Sequence, residues 1–284
     1  MAISDPHIER LTRADLADAN ALVAEAGWNQ TGDDWQIFLD CGTAYAVRQP
    51  DRVIATAAWL PYGGRCAWIS MVLVTAAARR RGLATRLLHR CIADVTAAGL
   101  VPVLDATPAG RTVYAPLGFQ EAWGFARLAS QRRFENPALP GPTIGPITDS
   151  DWPALLAYDA AVFGTDRCQV LARLRGRLPP SNLIARRDAR IVGLLLGRDG
   201  RTAAHLGPLI AEDDETAIAL LAHALSALGG TVYVDIADTK AGVRAWLESS
   251  GFAPQRPFTR MLLGRAQSFD DVTRTFAVIG PEFG

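Results

Sequence analysis

Apolar residues fall into two rhythms that alternate along the chain. Runs such as "TAYAVRQ" (43–49), "VIATAAWL" (53–60) and "CAWISMVLV" (66–74) predict strands, since a strand buried on both faces is apolar almost continuously. After them Leu83, Leu87, Leu88, Cys91, Ile92 and Val95 recur at helical spacing, which puts them on one stripe of a helix. "VPVLDA" (101–106) predicts a further strand, a short helix runs through Val113 and Tyr114, and "LGF" opens another strand. Upstream, "HIERLTRADLADANALVAEAG" reads as a strand and a helix that Thr12 can cap, and "DDWQIFLD" as a second helix.

The same order then repeats. "DWPALLAYDAAVF" and "CQVLARLRGRL" read as helices, and "NLIARR", "RIVGLLLG" and "AAHLGPLIA" as strands. "ETAIALLAHALSAL" is helical, "TVYVDIA" a strand and "AGVRAWLES" helical, and "SGF" opens the last strand. Gly118-Phe119 and Gly251-Phe252 stand 133 residues apart, and Leu87-Leu88 and Leu220-Leu221 share that offset. So long a period implies two copies of one domain in tandem. Between them Arg132–Trp152 holds four prolines and two glycines, which no helix or central strand tolerates. It predicts a linker between domains 1–136 and 137–284, with a tail from about residue 265.

Composition narrows the function. Basic and acidic residues balance at 29 each, which argues against a nucleic-acid or membrane-surface partner. Lys240 is the only lysine. Cys41, Cys66, Cys91 and Cys168 are scattered without metal-ligand spacing and read as small buried hydrophobes in a reducing compartment. His7, His89, His205 and His223 are equally dispersed, so no metal is expected. The opening residues lack a signal-peptide pattern and no apolar run approaches the ~18–20 residues of a membrane helix, so a cytoplasmic protein is expected.

The chemistry begins where the strand ending at Val74 becomes the Leu83 helix, through Arg79-Arg80-Arg81-Gly82-Leu83-Ala84. A helix start leaves amides unpaired and carries partial positive charge; small residues let an anion approach it, and arginines surround it with charged donors. A solvated basic turn explains the same residues, and the context decides between them. "RRRGLA" resembles the acetyl-CoA signature of the GNAT N-acetyltransferase superfamily, Arg/Gln-x-x-Gly-x-Gly/Ala after a strand, and "YAPLGF" (114–119) resembles that family's Tyr-x-x-x-Gly-Phe.

The resemblance implies an α/β (α+β) protein of two tandem GNAT-like domains, each a mixed, mostly antiparallel sheet flanked by helices. It implies that Arg79, Arg80, Arg81, Gly82, Leu83, Ala84 and Thr85 hold the pyrophosphate of acetyl-CoA, and that the backbone of Met71, Val72, Leu73 and Val74 holds the pantetheine arm. Thr107 stands where the family often has a cofactor-contacting asparagine. In the second copy the loop reads "AEDDETA", whose Glu212, Asp213, Asp214 and Glu215 would repel a diphosphate, and Leu247 replaces the tyrosine. One active site per chain follows, with the second domain shaping the acceptor cleft or an oligomer.

Tyr114 is the candidate acid for the departing thiolate, its pKa of about 10 lying near a thiol's ~8.5; a core tyrosine is the bland alternative. Asp105 is the candidate base, with loop bracing the alternative. Trp28, Asp33, Asp34 and Trp35 suit a cationic amine by charge and cation–π contact, or else cap and pack the second helix under Thr31. Asp166 or Arg167 could face a cleft, though a structural ion pair is the simpler reading. The expected activity is acetyl transfer to a small-molecule primary amine, such as an amino-sugar antibiotic, amino acid or polyamine. Alternatives are a protein lysine or N-terminal acceptor, or a non-catalytic acetyl-CoA-binding regulator; a homodimer is compatible with each.

Overall fold

The computed structural model describes residues 7–50, 52–134 and 141–284. They divide into two units: one runs to Leu104 and includes Gly200–Thr202, the other comprises Asp105–Asp199 and Ala203–Gly284. The fold is a mixed α/β arrangement, mostly antiparallel, with eight α-helices among the described residues.

In the first unit β1 (Ile8–Arg10) leads to α1 (Leu16–Glu25) and α2 (Gly32–Cys41). Then come β2 (Thr43–Gln49), β3 (Arg52–Tyr62), β4 (Cys66–Val74), α3 (Leu83–Ala97) and β5 (Val101–Ala106), of which Val101–Leu104 belong here. The sheet order follows the chain, antiparallel except for the β4–β5 pair. Residues 43–47 and 53–58 are buried without a break, as the apolar runs require of strands covered on both faces. Helix α3 packs on β3 and β4 through Leu83, Leu87, Leu88, Cys91 and Val95, all at most 4% exposed; Ile92, at the margin of the stripe, is half-buried.

The second unit begins with α4 (Pro108–Tyr114) and β6 (Phe119–Ser130). It continues with β7 (Thr143–Pro146), α5 (Trp152–Phe163), α6 (Cys168–Leu174), β8 (Leu183–Arg187), β9 (Arg190–Arg198) and β10 (Ala204–Ala211). It ends with α7 (Asp214–Ser226), β11 (Val232–Ala237), α8 (Ala241–Ser249), β12 (Ala253–Leu263) and β13 (Thr275–Ala277). Its strand order is β12-β6-β11-β13-β10-β9-β8-β7. β6 is antiparallel to β11 from Val232–Ser130 to Ala237–Phe125, and to β12 from Ala253–Ala129 to Leu263–Phe119.

Three sequence expectations change here. The units divide between Leu104 and Asp105, whereas the expected boundary lay at 136/137, because β6 takes both its neighbours from the second copy. The proline-rich stretch, whose residues 135–140 lie outside the described ones, includes β7, which pairs with β8 at the sheet edge where a proline is tolerated. The expected tail is no tail: Thr275–Ile279 are buried and β13, an element the apolar pattern did not reveal, lies inside the sheet. A fragment ending near Pro140 strips β6 of β11 and β12, and is expected to be insoluble or unfolded by circular dichroism; a soluble, cooperatively melting fragment would refute this.

Two cysteines also depart from expectation. Cys66 and Cys91 are buried, but Cys41 and Cys168 are only half-buried, and none of the four forms a disulfide. Arg167 makes the structural pair, with Nε and Nη2 on the Asp159 carboxylate at 3.0 and 2.9 Å, while Asp166 accepts from the Cys168 N–H at 2.7 Å. No described helix is long and apolar enough to cross a membrane.

Candidate active site

Where β4 meets β5 the pairing is short. The two are parallel at Cys66–Val101, Ala67–Pro102 and Trp68–Val103, and beyond Trp68 β4 runs on to Val74 along β3. A register shift between Thr56 and Ala58 on β3 faces Met71, which takes a left-handed φ of +53° and whose carbonyl accepts from the Thr56 hydroxyl at 2.9 Å. This bulge turns β4 away from its parallel partner.

A cavity of about 500 Å³ lies beside that turn, lined by Val72, Leu73 and Val74 of β4 and by Arg79, Arg80, Gly82, Leu83, Ala84 and Thr85. Ala26, Trp28 and Ala78 complete it. Gly82 is the residue before α3, with φ +76°; a Cβ there would meet nothing within 4 Å, so backbone conformation and not crowding calls for glycine. Arg80 also sits at positive φ, +62°, so the loop turns through the left-handed region twice before the helix. Arg79 Nε donates to the Val74 carbonyl at 3.1 Å, tying the loop to the strand end. The start of a fifteen-residue helix, small residues at Gly82 and Ala84 and exposed arginines at 79 and 80 therefore share one opening. That donor set fits a diphosphate, and the parted strand edge fits an amide-bearing arm.

The motif did not reveal Glu25. At the end of α1, its carboxylate accepts from the Ala76 N–H at 2.5 Å and the Thr75 hydroxyl at 2.9 Å, bracing the turn that leads to Arg79. The amide of Ala76, and then the hydroxyl of Thr75, hold its pKa below the ordinary 4.5. A carboxylate lowered in this way contributes above its unfolded pKa and loses its contribution as pH falls through the folded value. Glu25→Gln is expected to weaken acetyl-CoA binding about three- to tenfold at neutral pH, about one hydrogen bond's worth, and the gap between variant and wild type should close below pH 4.5. Equal affinities at neutral pH would remove Glu25 from the site.

The other expected residues separate. Met71 is buried and absent from the lining, and Arg81 is exposed outside it. Thr107, in the second unit, caps α4 by accepting from the Gly110 N–H at 3.2 Å. Trp28, expected on the acceptor side, lines the cavity. Its carbonyl accepts from Arg201 Nε at 2.8 Å, and the Asn29 side-chain oxygen accepts from both Thr202 N–H and hydroxyl at 2.9 Å. Asp34 is fully buried, accepting from the Thr31 N–H at 2.9 Å, and Trp35 is fully buried against Phe38, so neither presents surface to an acceptor. Asp33 remains exposed in the first turn of α2.

Tyr114 closes α4, half-buried, with its ring against Gly110 and 6.1 Å from that of Phe119. Burial raises its pKa above the ordinary 10, so the phenol stays protonated. Asp105 differs from a free base. Its side chain is fully buried, and Arg260 Nε and Nη2 hold its two oxygens at 3.0 Å each. Arg260, 1% exposed, also bonds Asp270 at 2.9 Å and lies 4.4 Å from the Trp123 ring. Asp105 thus takes the bracing role. Arg260→Leu removes the guanidinium that both buried carboxylates share and is expected to cost about 3–5 kcal/mol in a denaturant titration; a loss under 1 kcal/mol would contradict the buried pairing.

Residues 13–119 match the family model described as the Acetyltransferase (GNAT) family, and residues 155–277 a second described as an Acetyltransferase (GNAT) domain. The chain belongs to the GNAT acetyltransferases and carries two of their domains in tandem. It is 26% identical over 235 residues to the uncharacterized N-acetyltransferase YitH of Bacillus subtilis (strain 168), covering 81% of this chain and 82% of that one. Its fold matches that of a candidate acetyltransferase from Pyrococcus horikoshii with a TM-score of 0.81 at 18% identity, over 100% of this chain and 98% of the other. It also matches a tandem GNAT protein from the clavulanic acid biosynthesis pathway, TM-score 0.63 at 15% identity, over 91% and 98%.

Proposed function

We propose that this chain is an acetyl-CoA-dependent N-acetyltransferase with one donor site, in its first copy, acting on the primary amine of a small molecule. The observation that carries the reading is the cavity at the β4–α3 junction, where Gly82, Arg79 and Arg80 line the same opening as the free end of β4. Acetyl-CoA supplies the activated acyl group. The loop amides and arginines hold its diphosphate, and the Val72–Val74 backbone aligns its arm. A β4 amide polarises the thioester carbonyl. The resemblance of Tyr114–Phe119 to the family's Tyr-x-x-x-Gly-Phe makes Tyr114, which burial keeps protonated, the acid for the leaving sulfur.

The acceptor nitrogen must lose a proton before or during attack, and Asp105, clamped by Arg260, does not supply that base. We assign the step to water or to the amine's own neutral fraction. Balanced overall charge supports a small molecule over an extended charged polymer. The test is a library of amino sugars, amino acids, polyamines and lysine peptides, read by thiol release. Turnover confined to one small-amine class supports the proposal, turnover of peptides alone moves the acceptor to protein, and tight acetyl-CoA binding without turnover makes the chain a regulator.

A further inference from the structure

The two copies can be compared strand by strand. In the first, β4 and β5 are parallel over three pairs, ending at Trp68–Val103, and the bulge at Met71 then turns β4 away. In the second, β10 and β11 are parallel over three pairs, Ala204–Val232 to Leu206–Val234, and β10 then shifts register between Leu206 and Leu209. The opening in the first copy contributes Val72, Leu73 and Val74 to the cavity. The opening in the second is filled.

Its occupant is β13. Leu209 and Ile210 of β10 pair with Ala277 and Thr275, and Ile236 of β11 pairs with Ala277, antiparallel on both sides. The Ala211 N–H donates to the Arg274 carbonyl and the Val278 N–H to the Asp235 carbonyl, each at 3.1 Å, closing the two edges of the inserted strand.

We infer that the parted strands β10 and β11 form a strand-binding groove, the second copy's counterpart of the pantetheine groove, and that its resident ligand is this chain's own Thr275–Ala277. The inference rests on reading the first-copy cavity as the donor site. The chemistry is shared. A pantetheine arm carries two amides on a flexible thread and bonds a strand edge much as a peptide does, so an edge shaped for one accepts the other.

Independent features keep the peptide there. A Cβ on Gly207 would stand 1.9 Å from the Val278 carbonyl oxygen, so β10 has a glycine where the inserted backbone crosses it. Phe276 is 1% exposed, with the Lys240 ammonium 4.0 Å from its ring centre. Further on, Glu282 is 2% exposed and bonded to the fully buried Arg198. The turn before α7 has also changed purpose: Asp213 accepts from the Thr216 N–H at 2.8 Å and pairs with Arg187 at 3.1 Å. Neither the diphosphate nor the arm of a second acetyl-CoA has a place, so the second copy binds itself.

Hydrogen–deuterium exchange on the intact chain, with and without saturating acetyl-CoA, tests this. Without ligand, the amides of residues 209–211 and 275–278 should exchange at least a hundredfold more slowly than in an unstructured peptide, and acetyl-CoA should leave them unchanged. Fast exchange at 275–278 without ligand overturns the inference, as does any acetyl-CoA-induced change in either segment. The donor-site reading is judged separately, by at least tenfold slowing at residues 72–74 and 82–85 when acetyl-CoA is added.

Discussion

Gly82→Asp should fold normally and bind acetyl-CoA at least about a hundredfold more weakly than the wild type. The two halves of this expectation have separate causes. Gly82 has φ +76° and space around its Cβ, and aspartate is among the residues that enter the left-handed region most readily. A carboxylate just before α3 also favours the helix, so stability should hold. In the liganded state the same carboxylate stands where a diphosphate must approach the helix amides. Two like charges about 5 Å apart at an effective dielectric constant near 20 repel by about 3 kcal/mol, which is the hundredfold. Equilibrium binding and thermal melting on the same sample separate the effects. Undiminished affinity in a folded variant would place the diphosphate elsewhere, whereas Glu215→Gln, in the second copy's acidic turn, should leave affinity unchanged.

Tyr114→Phe should lower turnover about ten- to several-hundredfold while acetyl-CoA affinity stays within about twofold. The ring packs on Gly110 and Phe119 without needing its hydroxyl, so phenylalanine keeps the packing and removes only the proton donor. General acid catalysis is typically worth about 10²–10⁴-fold, with water recovering part of it. The pH profile adds a second readout. Burial raises the Tyr114 pKa, so the wild-type rate should hold on the alkaline side until above 10 and then fall as the phenol ionises. The variant should lack that limb. Unchanged turnover with chemistry rate-limiting, or an alkaline limb that survives the substitution, would assign the proton to another group.

What could be read from the chain depended on how local the signal was. The β4–α3 junction was legible because a strand, an arginine-glycine turn and a leucine stripe follow one another within 30 residues, and nine of the twelve expected donor-site positions line the cavity. The acidic turn of the second copy was legible for the same reason. Asp105 was misassigned because its partner Arg260 lies 155 residues away, beyond the reach of periodicity. Trp28 and Asn29 are pinned by Arg201 and Thr202 at a separation of 173 residues, which no local pattern announces. β13 was missed because three residues, Thr275-Phe276-Ala277, make no rhythm of their own; the two neighbouring strands define it. The cap at Thr31 was visible from the start, and the fold forms it, with Asp34 accepting from the Thr31 N–H.

The proposed reaction is transfer of an acetyl group from acetyl-CoA, held by the first copy, to an amine. It is tested most directly by following both products at once, free thiol and acetylated amine, with the best amine from the library. One N-acetylated amine is expected for each thiol released, with thiol release without amine no faster than slow hydrolysis and both products lost in Gly82→Asp. Thiol release without an acetylated amine, or two products formed at undiminished rate by Gly82→Asp, would contradict it.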